Sequence, residues 1–158
     1  MQDLDFGNIE TTSIGFYREE DEDFSGVFSG DFDGNGKTIK NLTIVRNSYD
    51  GDYGEGNYDT NIFHNAYYNV GLFCCVTGTV KNLTIENVKV QPTFNGEGCG
   101  NMIGVVCGTL FGVVEDCEIN NCTYYGQDDE MLKTGIVCGA NYGSIVGVNV
   151  DGNKYGDM

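Results

Sequence analysis

The hydrophobic positions of this chain show no helical spacing in any window of about 11 residues. They come instead as short runs of Val, Ile, Leu and Phe separated by Gly, Asn and Asp. The clearest run is Ile39 to Ile44, IKNLTI, with apolar residues at 39, 42 and 44. The parity changes between 39 and 42, so one straight strand cannot turn all three inward, and the chain must bend between them. The pattern returns as VKNLTI from Val80, VEDCEI from Val114 and IVGVNV from Ile145, in steps of 41, 34 and 31 residues. Recurrence at this interval is the mark of a stacked repeat. Aligning the copies brings Asn41, Asn82, Asp116 and Gly147 to one position. All are residue types that tolerate a left-handed backbone, which predicts a structural corner of positive φ stacked four times.

A second pattern runs in phase with the first. Gly71 to Cys74 (GLFC), Gly104 to Cys107 (GVVC) and Gly135 to Cys138 (GIVC) each lead through a Gly (Gly78, Gly112, Gly143) into a copy of the bent motif. One rung is then a strand ending in Cys, a Gly turn, a strand, a corner and a third strand. This predicts an all-β fold, a parallel β-solenoid of about four coils, with rungs roughly 4.8 Å apart. Residues 1–30 read as an N-terminal β cap and entry to the first coil, with strand pieces at Phe6–Ile9 and Ser13–Tyr17. Residues 31–158 read as the coils. Asp33 to Gly36, DGNG, carries the strongest short signal for a hairpin turn. Residues 46–70 form a long surface insertion rich in Tyr, Asp, Asn and Gly, and shorter ones span 91–102 and 124–133.

Composition narrows the function classes. The 158 residues are one domain's worth of chain, with 24 Gly against a single Pro, as many short strands and tight corners require. A net charge of −16 with eight Lys and Arg argues against nucleic acid and anionic membrane surfaces. No segment has the apolar length of a membrane span, so no membrane insertion is expected. The start MQDLDFGNIE lacks the basic residues and apolar run of a signal peptide, so the chain is either intracellular or a piece whose leader lies elsewhere.

The run Phe24 to Ile44, FSGVFSGDFDGNGKTIKNLTI, followed by Gly71 to Val90, GLFCCVTGTVKNLTIENVKV, resembles the GLUG-repeat family. These are β-solenoid regions of bacterial surface proteins, found in adhesin-like proteins and N-terminal in IgA-specific metallopeptidases. The resemblance extends over nearly the whole chain, from Asp5 to Val150. Cys74 stands where the family often has Gly. The resemblance implies a right-handed β-helix at the cell surface and carries over no catalytic residue. The metallopeptidases' HExxH-type zinc motif is absent from this sequence, which has one His.

Candidate chemistry is sparse. Asp31, Asp33 and Asn35 fall at positions 1, 3 and 5 of an EF-hand-like loop, but position 12 is Leu42 where a bidentate Glu is required. The reading preferred here is a turn that uses Asp33 and Asn35 for backbone geometry. Cys74, Cys107 and Cys138 align with one another, and Cys117 aligns with Leu42, Leu83 and Val148. Without a CxxC pair these read as buried free thiols, since in-register parallel neighbours direct their Cβ atoms poorly for a disulfide. Cys99 and Cys122, in less regular surroundings, are the better candidates for bonding. Tyr49, Tyr53, Tyr58, His64, Tyr67 and Tyr68 could contact a ligand by stacking and hydrogen bonding, or pack as a Tyr-rich loop over their own coil. No cofactor is expected. The sequence thus reads as a non-enzymatic extracellular structural or adhesion module whose partner is a host or bacterial surface protein or a glycan. The alternatives are a carbohydrate-binding or carbohydrate-active β-helix and a solenoid that self-associates end to end.

Overall fold

The structure is a computed structural model that describes residues 2–15, 26–47, 68–91, 101–126 and 133–157. Among these residues every regular element is a β-strand, and strands pair in parallel. Two long strands, β1 (Leu4–Ser13) and β2 (Asp31–Asn47), lie at the head of the stack. The first full turn holds β3 (Tyr68–Val70), β4 (Phe73–Val76), β5 (Thr79–Glu86) and β6 (Lys89–Val90). The second holds β7 (Asn101–Gly104), β8 (Cys107–Leu110), β9 (Val113–Glu115), β10 (Glu118–Asn120) and β11 (Thr123–Gly126). The third holds β12 (Lys133–Gly135), β13 (Cys138–Asn141), β14 (Ser144–Val146), β15 (Asn149–Asp151) and β16 (Lys154–Asp157). The fold is a parallel β-solenoid of about three turns, not four, because β1 and β2 supply only a partial turn at its head.

Corners explain how short strands close into coils. In β5, Val80, Leu83 and Ile85 are all buried although their parity differs. Asn82 between them has φ 53, a left-handed corner that rotates the second half of the strand back toward the core. Asp116 (φ 49) and Gly147 (φ 63) repeat this corner in the next two turns, and Asn87, Asn121 and Gly152 (φ 53, 53 and 63) make a second one. The inward side chains stack in columns, of which Ile39, Ile85, Ile119 and Val150 form one. Their exposures of 7%, 1%, 0% and 50% locate the open end of the core at the third turn. Phe28, Phe32 and Phe73 fill the head, with ring centroids 4.8 to 6.5 Å apart.

Register corrects three expectations. Ile39 stacks on Ile85 and Ile44 on Val90, so the two near-identical motifs are displaced by one face and IKNLTI does not sit over VKNLTI. Asn41 therefore belongs to the column of Asn87 and Asn121, whereas Asn82, Asp116 and Gly147 share the other; the four do not form one stack. The reason is that Phe32 already lies over Val80 and Asp33 over Lys81, so the segment before IKNLTI, with its own left-handed corner at Asn35, takes the place over VKNLTI, and the Asp33–Lys37 irregularity accommodates its two extra residues. Asn35 (φ 50) and Gly36 (φ 68) do adopt the left-handed backbone, but the chain rounds a corner there and makes no hairpin. Likewise Cys107 pairs with Cys138 on one side and Phe73 on the other, so Cys74 lies outside that column. The expected Phe6–Ile9 piece lies within β1, which is kinked at Gly7 and Asn8. Of the expected Ser13–Tyr17 piece, Ser13 ends β1, Ile14 bridges Phe73 and residues 16–17 lie outside the described residues. The ends of the expected 46–70 insertion belong to β2 and β3.

Candidate functional site

The outward chemistry that the structure brings together lies along the two corner columns. In the first, the Asp33 carboxylate accepts from the Asn35 backbone N–H at 2.8 Å and from Asn82 Nδ2 at 3.0 Å. In the second, the Asp5 carboxylate accepts from the Gly7 N–H at 3.0 Å and from Asn41 Nδ2 at 2.8 Å, and Asn87 Nδ2 reaches Asn41 Oδ1 at 3.5 Å. Each ladder thus begins at an aspartate, a pure acceptor, and each ends in the third turn at a glycine. The Asp116 and Asn121 side-chain oxygens lie over Gly147 and Gly152, in the space a Cβ would take. The ladder donors hold both carboxylates below their ordinary value: Asn82 first and then the Asn35 amide for Asp33, Asn41 first and then the Gly7 amide for Asp5. Lys40 lies 3.8 Å from Asp5, too long and too exposed to add much.

Beside the first column is an open cleft of about 380 Å³, lined by Asn35, Gly36, Asn82, Leu83, Thr84, Asp116 and Glu118. Its walls offer amides, a hydroxyl and two carboxylates, a set suited to hydrogen-bonding a hydroxyl-rich ligand. Of the candidate cation ligands, Asp33 spends its Oδ1 on the turn and on Asn82, Asn35 supplies the left-handed backbone, and Asp31 sits in β2 paired with Thr79. Among the described residues no group of three or more His, Cys, Asp or Glu is arranged to hold a metal ion. No helix of the described residues is long and apolar enough to cross a membrane.

The six described cysteines, Cys74, Cys75, Cys107, Cys117, Cys122 and Cys138, are buried free thiols, Cys122 included. Burial pushes Cys122 up to about 11 and Cys75 to about 12. Tyr68 lies in β3, paired with Asn101. Tyr49, Tyr53, Tyr58, His64, Tyr67 and Cys99 fall outside the described residues.

Sequence reasoning missed several of these positions. Asn87, Asn121 and Gly152 recur in steps of 34 and 31 residues, the signal that marked the first column, so the second was open to the same reading. Glu118 of the cleft and Asp5 at the ladder head carry no such signal. Asn153 occupies an inward column position and clamps the second turn, donating to the Ile119 carbonyl and accepting from the Cys122 N–H, both at 2.8 Å. No protein-family model matches this chain, and neither a curated protein nor a solved structure matches it.

Proposed function

We propose that this chain is a non-enzymatic β-solenoid module with a structural and adhesive role at a bacterial cell surface, of the GLUG-repeat kind. The observation that carries this reading is the pair of corner ladders. At their heads side-chain hydrogen bonds run along the solenoid axis, from Asn82 to Asp33 and from Asn87 through Asn41 to Asp5, and tie the entry strands to the first turn. The cleft beside Asn82 is the contact surface in this reading, with a glycan or a glycosylated surface protein as its partner. The Tyr-bearing segment of 49–68 would add aromatic contacts.

Binding to immobilised glycans and mucin-type glycoproteins tests it. The chain is expected to be retained on a subset of glycans, and Glu118→Gln with Thr84→Ala is expected to weaken retention about tenfold without changing the fold. Retention unaffected by the double substitution would remove the cleft from the interaction. New reducing ends on a bound polysaccharide would instead establish a carbohydrate-active β-helix.

A second reading, end-to-end self-association, is favoured by the third turn. Tyr142, Ile145, Val146, Val150 and Tyr155 are exposed there, and β13, β14 and β16 lie at sheet edges. Sedimentation of the same samples at rising salt separates the readings, since screening of the −16 charge would promote assembly.

A further inference from the structure

We propose that Cys107 and Cys138 form an oxidation site, at which a disulfide-class oxidant joins the two thiols and staples the third turn to the second. The two residues are register partners on β8 and β13. In-register parallel neighbours have Cα atoms roughly 4.8 Å apart, within the span of about 4.4–6.8 Å that a disulfide bridges. Parallel Cβ vectors are the usual obstacle to such a bond. Here the Cys107 and Cys138 side chains are hydrogen-bonded to each other, so the two thiols already meet across the rung.

Neighbouring residues single out this pair. The register partner of Cys107 on its other side is Phe73, so the column contains two cysteines and no third. Cys74 and Cys75 pack in a separate cluster with Val27. The Cys117 thiol donates to the Glu115 carbonyl at 3.2 Å and the Cys122 thiol to the Asn120 carbonyl at 3.4 Å. Cys138, at 9%, has the largest residue exposure of the described cysteines and lies on the third turn. The Cys107 hydrogen bond holds its thiol below the usual value, whereas burial raises the other five. Cys138 is therefore the attacking sulfur and Cys107 the resolving one.

With oxidised glutathione as the oxidant, Cys138 loses its proton and its sulfur attacks the glutathione disulfide. That step forms a mixed disulfide and releases one glutathione thiolate. Cys107 then gives up its proton and attacks the Cys138 sulfur, forming the Cys107–Cys138 bond and expelling the second glutathione. The protein loses two electrons and two protons, and one glutathione disulfide becomes two thiols.

The site is independent of the adhesive reading, and its test does not involve a binding partner. The folded full chain is incubated with oxidised glutathione, then subjected to intact-mass measurement and non-reducing peptide mapping. The expected result is loss of two hydrogens, one cross-linked peptide pair joining Cys107 to Cys138, and hydrogen exchange across β13–β16 slowed at least about tenfold. Cys107→Ser should stop at a glutathione adduct on Cys138, and Cys99→Ser should react like the unsubstituted chain. Seven thiols left free in the unsubstituted chain, or a cross-link involving any other cysteine, would overturn the proposal whether or not the Cys107→Ser variant folds.

Discussion

Asparagine at a corner does two things that no aliphatic residue can. It accepts a positive φ at low cost, and its amide both donates and accepts along the stack. Aspartate accepts but cannot donate, which suits Asp5 and Asp33 to the head of each ladder. Both carboxylates have pKa values depressed below 3.8. Between the depressed and the ordinary value the folded chain therefore binds fewer protons than the unfolded one. The stability they contribute is present above the unfolded value and is lost as pH falls through the folded value. In urea titrations from about pH 5 downward, the chain carrying Asp5→Asn and Asp33→Asn is expected to lose less stability than the unsubstituted chain. The difference between the two should be absent near neutral pH and grow as pH falls through the carboxylate range.

At the scale of the element, the short strands meet at turns so tight that backbone packs on backbone. Gly30, Gly78, Gly112 and Gly143 form such a column. A Cβ on Gly112 would overlap the Gly78 carbonyl oxygen and lie 2.6 Å from the Thr77 carbonyl carbon. Gly112→Ala is expected to destabilise the chain by on the order of 3 kcal/mol, since only backbone movement can make room. Gly36 offers the contrast: φ is +68 and nothing lies within 4 Å of a Cβ there. Gly36→Ala should cost about 1 kcal/mol, the strain of the left-handed backbone alone. Urea midpoints of the two variants check the order. Gly78, Gly112 and Gly143 were legible because each precedes a copy of the bent motif. Their spatial reason, a carbonyl from the turn above, was not.

At the scale of the molecule, each turn touches only its neighbours, so stability is a sum of nearest-neighbour terms and falls toward an uncovered end. The middle of the stack is sealed: Val80, Val114 and Ile119 are fully buried, whereas Ile145 and Val150 of the third turn are 38% and 50% exposed. Hydrogen exchange under reducing conditions should protect β5, β8 and β9 most and β14 to β16 least. Equal protection in the second and third turns would show that something covers the open end.

The sequence by itself determined the architecture. A bent hydrophobic motif, an amide or glycine at its corner and a glycine before it recur at near-constant intervals, and parallel stacking of identical turns is what such a recurrence can bury. It also determined which residue types turn the chain at Asn41, Asn82, Asp116 and Gly147. Only the tertiary structure decided which copies lie over one another. IKNLTI and VKNLTI align along the chain, yet Ile39 lies over Ile85 and Ile44 over Val90, because Phe32 and Asp33 already occupy the place over Val80 and Lys81. A one-residue change of offset, from Val70 over Ile103 to Phe73 over Cys107, takes Cys74 out of the column and leaves Cys107 and Cys138 as neighbours. Register is set by where inserted residues can be accommodated without breaking backbone hydrogen bonds, and that depends on the turn above as much as on the strand itself.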